Sequence, residues 1–380
     1  MNFVQGRSTS CSSGLSLRAL ATAALLLAPV GARSQDPTAA LSKWSAEELA
    51  TAEAFVRAFV ADVAAGAAER AVDSFDRTQM LERVFDGIGT ERLRATMKKE
   101  AQKTSRQSLL FALQTFGQSA SRVKRLVAVD GALRARVRFY GEQGVSIVDF
   151  ELTRRGDTWA FCDLHNLTLG VSSVGEMRTM ALLLSGQSSR GLLERLLGTG
   201  SVSATDVENL NAMLKAFQAG DLAAGGSSYD KLPKSLQESS TVTAIRLQML
   251  AAGSDETAYI EALESAAARF PPPKFRMTLV DAHFLRQRWQ DAIRCIDEAM
   301  QSIEPDAMLL MLRATIQLQS GDVAAASKSS AAALALEPDT LEVLAASLDI
   351  VLAAKDWAAV VRTMEAMEKS GEYDFKGQLD

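Results

Sequence analysis

The chain has 380 residues, of which 47% are hydrophobic, 23% charged and 6% aromatic, a composition typical of globular proteins and not of disordered or fibrous ones. Its length favours two domains, each large enough to bury a core. The 41 basic and 46 acidic residues give a formal charge of −5, and we expect no nucleic-acid partner because such binding needs a basic field.

The N-terminus has the pattern of a secretory signal peptide. Arg7 and Arg18 precede an uncharged run at residues 19–30, and small residues follow up to Ser34. The run is shorter than the roughly 20 residues that cross a bilayer. The alternative is a buried helix at a domain edge. We assign residues 1–34 to the signal peptide and expect an exported protein, periplasmic or secreted, that is soluble after cleavage.

Residues 41–185 are predicted to form an α+β domain whose first half is helical. Ser45 and Glu48 make a capping box, in which each side chain satisfies a backbone amide of the first turn. Apolar residues then recur three and four positions apart, as on one face of a helix. Further helical patterns run through Met80 and from about Glu91 onward.

After Ser119 the apolar period changes to two, which predicts four antiparallel strands in a meander. Asp130 and Gly131 favour the positive φ of a tight turn. A turn closed by Gly141 and Gly144 predicts these pairs: Arg134 with Glu151, Ala135 with Phe150, Arg136 with Asp149, and Val137 with Val148. A turn at Arg155 and Gly156 predicts two more: Phe150 with Phe161, and Leu152 with Trp159. We expect the helices to pack on one face of this sheet.

Helices followed by a curved meander resemble the nuclear transport factor 2-like (cystatin-like) domains. Residues 148–163, with Gly170 to Ser172 shortly after, are also similar to the last hairpin of periplasmic phospholipid-carrier proteins of the lipid-asymmetry system. Those families enclose an apolar cavity between helices and sheet. The resemblance implies a cavity for a lipid or other small apolar ligand, lined by Val137, Val148, Phe150 and Phe161. The alternative is that these side chains fill the core.

Residues 186–200 are predicted to be a linker with a short helix at 191–197. Beyond it, residues 201–380 are rich in alanine and helical throughout. Ala258, Ala292 and Ala326 recur 34 residues apart. Other positions follow the same period: Asp322 and Asp356 are one period apart, and Trp289, Val323 and Trp357 are equivalent. This recurrence resembles the tetratricopeptide repeat.

The physical basis of such a repeat is a pair of helices that cross closely. Alanines allow the close approach, a turn such as Gly321-Asp322 joins the helices, and Pro338 ends the unit. One pair cannot bury its apolar face, so pairs stack in series, and the length allows about five of them. The alternative is a single alanine-rich bundle. The family's large aromatic residue is Leu310 in the best unit, which departs from the pattern.

In tetratricopeptide arrays the first helix of each pair lines a concave surface that binds extended peptides or partner helices. By this resemblance, we expect the partner-binding residues to lie on two successive first helices. They are Arg276, Asp281, Phe284, Met311, Thr315 and Leu318. The alternative for the apolar members is packing between helices.

Motifs for catalysis are missing from the sequence. It has no phosphate-binding glycine loop, no zinc-type pair of histidines or cysteines and no nucleophile elbow. We therefore expect no enzyme, no cofactor and no metal centre. Asp163 and His165, two positions apart on a strand, are the one candidate pair for proton transfer; the alternative is a solvated strand end with a salt-linked histidine. Cys162 and Cys295 lie in different domains and are interpreted as separate buried thiols.

The sequence thus predicts a non-enzymatic exported adaptor, which binds a protein or peptide partner in the cell envelope through the concave face of its helical array. Two alternatives remain. One is a periplasmic carrier of a lipid or another small apolar ligand in the first domain. The other is an enzyme of the cone-shaped fold that uses Asp163 and His165.

Overall fold

The computed structural model describes residues 39–369, with gaps at 118, 142–143, 169, 176, 179–180, 182–202 and 254. An α+β domain is followed by an all-α region of helical hairpins, as the sequence predicts. The predicted signal peptide and linker, including the linker's short helix, lie outside the described residues. Within the described part of the chain, no helix is both long enough and apolar enough to cross a membrane.

The first domain has a helical half and a sheet half. After a 3-10 helix at Ala39–Lys43, its helices are α1 (Ala46–Ala64), α2 (Ala68–Val72), α3 (Arg77–Phe85) and α4 (Glu91–Phe116). Its strands are β1 (Ala120–Val129), β2 (Ala132–Gly141), β3 (Gly144–Arg155), β4 (Thr158–Asn166) and β5 (Val171–Ser172). All neighbours are antiparallel and in sequence order, so β1 is an edge strand. The predicted capping box starts α1: Ser45 Oγ accepts from the Glu48 amide at 3.1 Å, and the Glu48 carboxylate accepts from the Ser45 amide at 2.8 Å.

The predicted register between β2 and β3 is confirmed. Gly141 pairs with Gly144, and all four expected cross-strand pairs between these strands are present. The turn between β1 and β2 lies at Asp130 and Gly131, whose φ angles of 51° and 80° are those of the expected hairpin turn. Alternation therefore puts the apolar residues of β2 and β3 on one face and their charged residues on the other.

The predicted register between β3 and β4 is wrong. Phe150 lies opposite Leu164, and Leu152 lies opposite Phe161. The turn is formed one residue later than expected, because Arg155 pairs with Thr158. In addition, β4 has one more residue than β3 between the pairs Glu151 with Asp163 and Leu152 with Phe161, so Cys162 lies in a bulge.

The apolar face of the sheet packs against the helices through a cluster of aromatic rings. Phe59 of α1, Phe75, Phe150 and Phe161 contact one another with ring centroids 4.8 to 6.3 Å apart. Each of these side chains is at most 2% exposed. Tilted and edge-on ring pairs of this kind each add about 0.5–1.5 kcal/mol beyond the burial of their area.

The second domain consists of helical hairpins. They are α5 (Ala204–Gln218) with α6 (Leu222–Asp230), α8 (Ser240–Ala252) with α9 (Glu256–Arg269), α10 (Arg276–Leu285) with α11 (Trp289–Ile303), α12 (Ala307–Gln319) with α13 (Val323–Leu336), and α14 (Leu341–Ala353) with α15 (Trp357–Lys369). A short helix, α7 (Lys234–Gln237), joins the first two hairpins. Consecutive hairpins pack on one another in series.

The 34-residue period is visible in where the second helix of each hairpin starts. The five starts are Leu222, Glu256, Trp289, Val323 and Trp357. The residue before four of these helices is an aspartate that accepts a hydrogen bond at 2.9 Å from the amide three positions on: Asp221, Asp255, Asp322 and Asp356. This is the standard N-cap interaction, repeated once per hairpin. Helical repeats are therefore present, as predicted.

Candidate functional site

The charged face of the sheet is covered by the second domain. This charged face packs on the loops of the second domain that join one hairpin to the next. Gly170, between β4 and β5, lies against the backbone of Lys274 in the α9–α10 loop. Glu304 and Asp306 belong to the α11–α12 loop and Glu337 to the α13–α14 loop, and all three pair with arginines of β2. Among the described residues, every ion pair between the two domains involves a loop between hairpins, and none involves a turn within a hairpin.

Two arginines of β2 form the centre of this interface. Arg136 makes a two-pronged contact with Asp149 on β3, at 2.8 and 2.9 Å, and a further ion pair with Glu304 at 2.9 Å. Arg138 makes a two-pronged contact with Glu337, at 2.9 and 2.8 Å, and pairs with Asp306 at 3.1 Å. Burial lowers the pKa of both guanidiniums, but their carboxylate partners outweigh it and the net pKa of each is raised.

The edge strand β1 adds three more cations to the interface. Lys124 contacts Glu337 and lies 3.2 Å from Asp306. Arg122 donates to the Thr340 hydroxyl, and Arg125 pairs with Glu304. Burial raises the pKa of Glu337, but hydrogen bonds and charge from Arg138 and Lys124 outweigh this and lower it to about 2. The carboxylate is therefore ionised at any physiological pH.

A second buried charge cluster contains the candidate pair Asp163 and His165. His165 Nε2 lies 3.0 Å from Glu151 and 3.5 Å from Asp163. Arg83 and Arg134 each pair with Glu151, at 2.8 and 3.1 Å. Burial raises the pKa of Glu151, but the His165 hydrogen bond and the two guanidiniums outweigh it and lower the pKa to about 2.

This cluster has the donors for a metal but already contains the compensating charge. Ligand atoms of Glu151, Asp163 and His165 lie within 4.8 Å of one another. Arg83 and Arg134 balance the two carboxylates, so a cation would have to displace them. Asp163 is also engaged as an acceptor from the Ser172 hydroxyl at 2.6 Å. The three possible ligands are all buried, which leaves no open face for a substrate among the described residues.

The four residues proposed to line a ligand cavity lie in the aromatic core. Val137, Val148, Phe150 and Phe161 are fully buried. The rings of Phe150 and Phe161 are tilted against each other with centroids 5.1 Å apart, and Phe59 packs on both. A ligand in contact with these side chains would have to displace rings of this cluster.

The six residues predicted to contact a partner differ in whether their side chains are accessible. The Arg276 guanidinium binds Glu298 and the carbonyl of Ala267, so it stabilises the array itself. Met311 is 1% exposed and packs in the core. Asp281 and Thr315 are exposed, while Phe284 and Leu318 are half-buried.

The four accessible candidates fall on two rows that cross three hairpins. The first helices α10, α12 and α14 end 34 residues apart, so residues 34 apart near these ends are structurally equivalent. One row is polar and exposed: Asp281, Thr315 and Asp349. The other is apolar and partly exposed: Phe284, Leu318 and Leu352. Asp349 and Leu352 are additions that the sequence analysis did not single out, although the period points to them.

Asp281, at the α10 end of the polar row, lies near Tyr259 of α9. Desolvation by the surrounding protein raises the pKa of the Asp281 carboxyl, although the side chain is exposed. The nearby Tyr259 of α9 is half-buried, and burial together with the Asp281 charge raises the pKa of its hydroxyl.

No protein-family model matches the chain, and no curated protein matches it at the level of a relative.

Proposed function

We propose that this protein is a non-enzymatic exported adaptor, which binds a protein or peptide partner through the first helices of its hairpin array. The observation that supports it best is the pair of rows on α10, α12 and α14. An exposed polar row beside a partly exposed apolar row, repeated over three hairpins, suits an extended or helical partner with matching periodic contacts.

The way the two domains pack supports the same proposal. The sheet contacts the loops between hairpins, and no ion pair between the domains involves either row among the described residues. Phe284 packs on Trp289 and is half-buried, as is Leu318, while the other members of the two rows are exposed. Because Asp281 and Asp349 are acidic, the preferred partner segment carries basic residues opposite them. Phe284 and Leu352 supply the apolar contacts that contribute most of the affinity at such surfaces.

The proposal that the protein is not an enzyme is supported by the enclosure of its one candidate catalytic pair. Asp163 and His165 are buried between β3, β5 and α3, with Glu151 and Ser172 as their partners. A general base must reach the proton it removes. Substitution of His165 by asparagine should therefore change stability and leave any cellular role of the folded protein unaltered.

The adaptor proposal can be tested by charge reversal on the polar row. The double variant Asp281→Lys/Asp349→Lys and the wild-type chain would be used to capture proteins from the cell envelope under the same conditions. A partner lost only from the double variant supports the proposal. The matched control is Glu261→Lys, which reverses an exposed acid on the second helix α9. Equal capture by all three chains would contradict it.

The lipid-carrier alternative predicts a different result. Mass spectrometry of the gently purified protein should then show a bound lipid in stoichiometric amount. The packing of Phe59, Phe150 and Phe161 favours the adaptor, and we expect the mass of the protein alone.

A further inference from the structure

A cavity of about 610 Å³ lies between the two domains. Clefts at domain interfaces are common ligand sites, and this volume is within their usual range. Its walls come from α1, from the first part of β1, from the end of β2, from Met308 of α12, and from the α13–α14 loop with the start of α14. Neither the two rows on the hairpin array nor the buried cluster at His165 contributes to it.

The cavity runs along the free edge of the sheet. Four consecutive residues of β1, 120–123, line it. Successive side chains of a strand point to opposite faces, so a cavity that touches all four lies beside the strand and on neither face alone. Among the described residues, β1 is hydrogen-bonded in the sheet only to β2. An unpaired strand edge is a template for another extended chain.

The two walls beside this edge differ in character. The wall from α1 is mostly small and apolar, with Val60, Ala61 and Ala64. The opposite wall is polar and includes Tyr140, Asp339 and Glu342. An extended chain on the edge would direct alternate side chains to the two walls. The small alanines leave room for its backbone to approach.

The charges of the polar wall select the occupant. Among the described residues, Arg57 pairs with Glu53. Arg122 and Arg138, together with Lys124, share the two carboxylates of Glu337 and Asp306, which leaves one positive charge unbalanced. Asp339 and Glu342 have no ion-pair partner in the described part of the chain. Glu342 also lies close enough to Tyr140 to raise the pKa of its hydroxyl, in addition to the effect of burial. Two unpaired acids against one surplus cation leave a net charge of −1 beside the groove.

We infer that this interdomain groove binds an extended peptide segment of another protein by strand addition to β1, with small apolar residues toward α1 alternating with lysine or arginine toward Asp339 and Glu342. This site is distinct from the rows on α10, α12 and α14, so the protein has two places for peptide contact.

The test uses two labelled nine-residue peptides and the purified full chain. In one peptide valine alternates with lysine, and in the other valine alternates with glutamate. Fluorescence anisotropy should show that the lysine peptide binds at least about tenfold more tightly. The double variant Glu342→Gln/Asp339→Asn should remove this preference. Equal binding of both peptides to the wild-type chain would overturn the inference.

The position of the bound peptide is tested with a blocking variant. Ala61→Trp fills the groove from α1 and should weaken binding of the lysine peptide by at least about tenfold. Ala58→Trp is the matched control, because Ala58 is exposed on the same helix and does not line the cavity. Asp281→Lys/Asp349→Lys should leave the binding unchanged. A failure of the adaptor proposal and a failure of this one are therefore separable.

Hydrogen exchange identifies the binding mode. Bound peptide should slow exchange of amides within residues 120–123, and protection confined to the first helices of the array would overturn the inference.

Two other occupants of the groove can be distinguished from a peptide of another protein. If deletion of residues 1–38 speeds exchange at 120–123 without peptide, the chain's own N-terminal segment fills the groove. If the chain sediments as a dimer and Ala61→Trp makes it monomeric, a second copy fills it. Either result overturns the inference.

Discussion

Arg138 of β2 and Glu337 of the α13–α14 loop form a two-pronged ion pair across the domain interface, and both side chains are 4% exposed. The residues are far apart in sequence, so this contact exists only when both domains are folded and docked. Burial of a charged pair is costly unless every polar atom is satisfied, and here Asp306 and Lys124 complete the network.

Removing Arg138 should be strongly destabilising. Arg138→Met leaves Glu337 and Asp306 buried with only Lys124 and the more distant, half-exposed Arg122 as nearby cations, and we expect a loss of about 3–5 kcal/mol in the free energy of unfolding. Chemical denaturation followed by circular dichroism measures it. The control is Arg57→Met, which removes an exposed pair with Glu53 and should cost about 0.5 kcal/mol or less. Similar losses in the two variants would contradict the role given to Arg138.

Acid should destabilise the fold through Glu337 and Glu151. The folded-state pKa of each is about 2, against an ordinary value of 4.5. A carboxyl whose pKa is lowered by folding contributes stability that is fully present above its unfolded pKa. The contribution is lost as the pH falls through the folded value. We expect the unfolding free energy to fall steeply between about pH 4.5 and 2, and Glu337→Gln to flatten that dependence. A slope unchanged in the variant would argue against it.

The repeated N-caps give a prediction about the hairpins. Asp322→Ala should cost about 1 kcal/mol, because it removes the acceptor for the Ala325 amide. Asp322→Asn retains an acceptor and should cost less than half as much. Thermal unfolding of the two variants checks the difference. The same pair of substitutions at Asp255 should behave alike if the hairpins are equivalent units.

The described thiols should be inert in the native protein. Cys162 and Cys295 are free and buried, and burial, followed by the charge of Glu151 and of Glu298 respectively, raises their pKa to about 12 and about 11. At about pH 8 almost no thiolate forms. With Cys11 of the predicted signal peptide replaced by serine, the chain should therefore react slowly with a thiol reagent when native and rapidly in denaturant. Fast reaction of the native chain would show that one of the two sites opens readily.

Much of the fold follows from local sequence signals. The turn residues Asp130-Gly131 and Gly141 to Gly144 determine the first register, because each specifies a turn length. The 34-residue period likewise predicts where the second helices begin. The error between β3 and β4 arises at Cys162, since a bulge leaves no signal in the alternation of apolar residues.

The interface between the two domains is harder to predict from the sequence. The charges of β2 alternate as on a solvent-facing strand, and in the predicted register Asp149 already provides a partner for Arg136 within the sheet. One signal does exist: the motif Glu-Pro-Asp occurs at Glu304-Pro305-Asp306 and again at Glu337-Pro338-Asp339. Acids repeated at the loops between hairpins indicate a basic surface beside them, which β2 supplies.

The packing of the sheet on three successive inter-hairpin loops changes the mechanics of the array. In a stack of hairpins, each hairpin normally contacts only its neighbours, so the stack can bend along its length. Here the sheet contacts three of the loops between hairpins. Gly170 lies against Lys274, Arg136 pairs with Glu304, and Arg138 pairs with Glu337. Contact at three loops restrains the spacing between the first helices, so a partner of the kind proposed would meet a surface whose curvature is already set, and less entropy would be lost on binding.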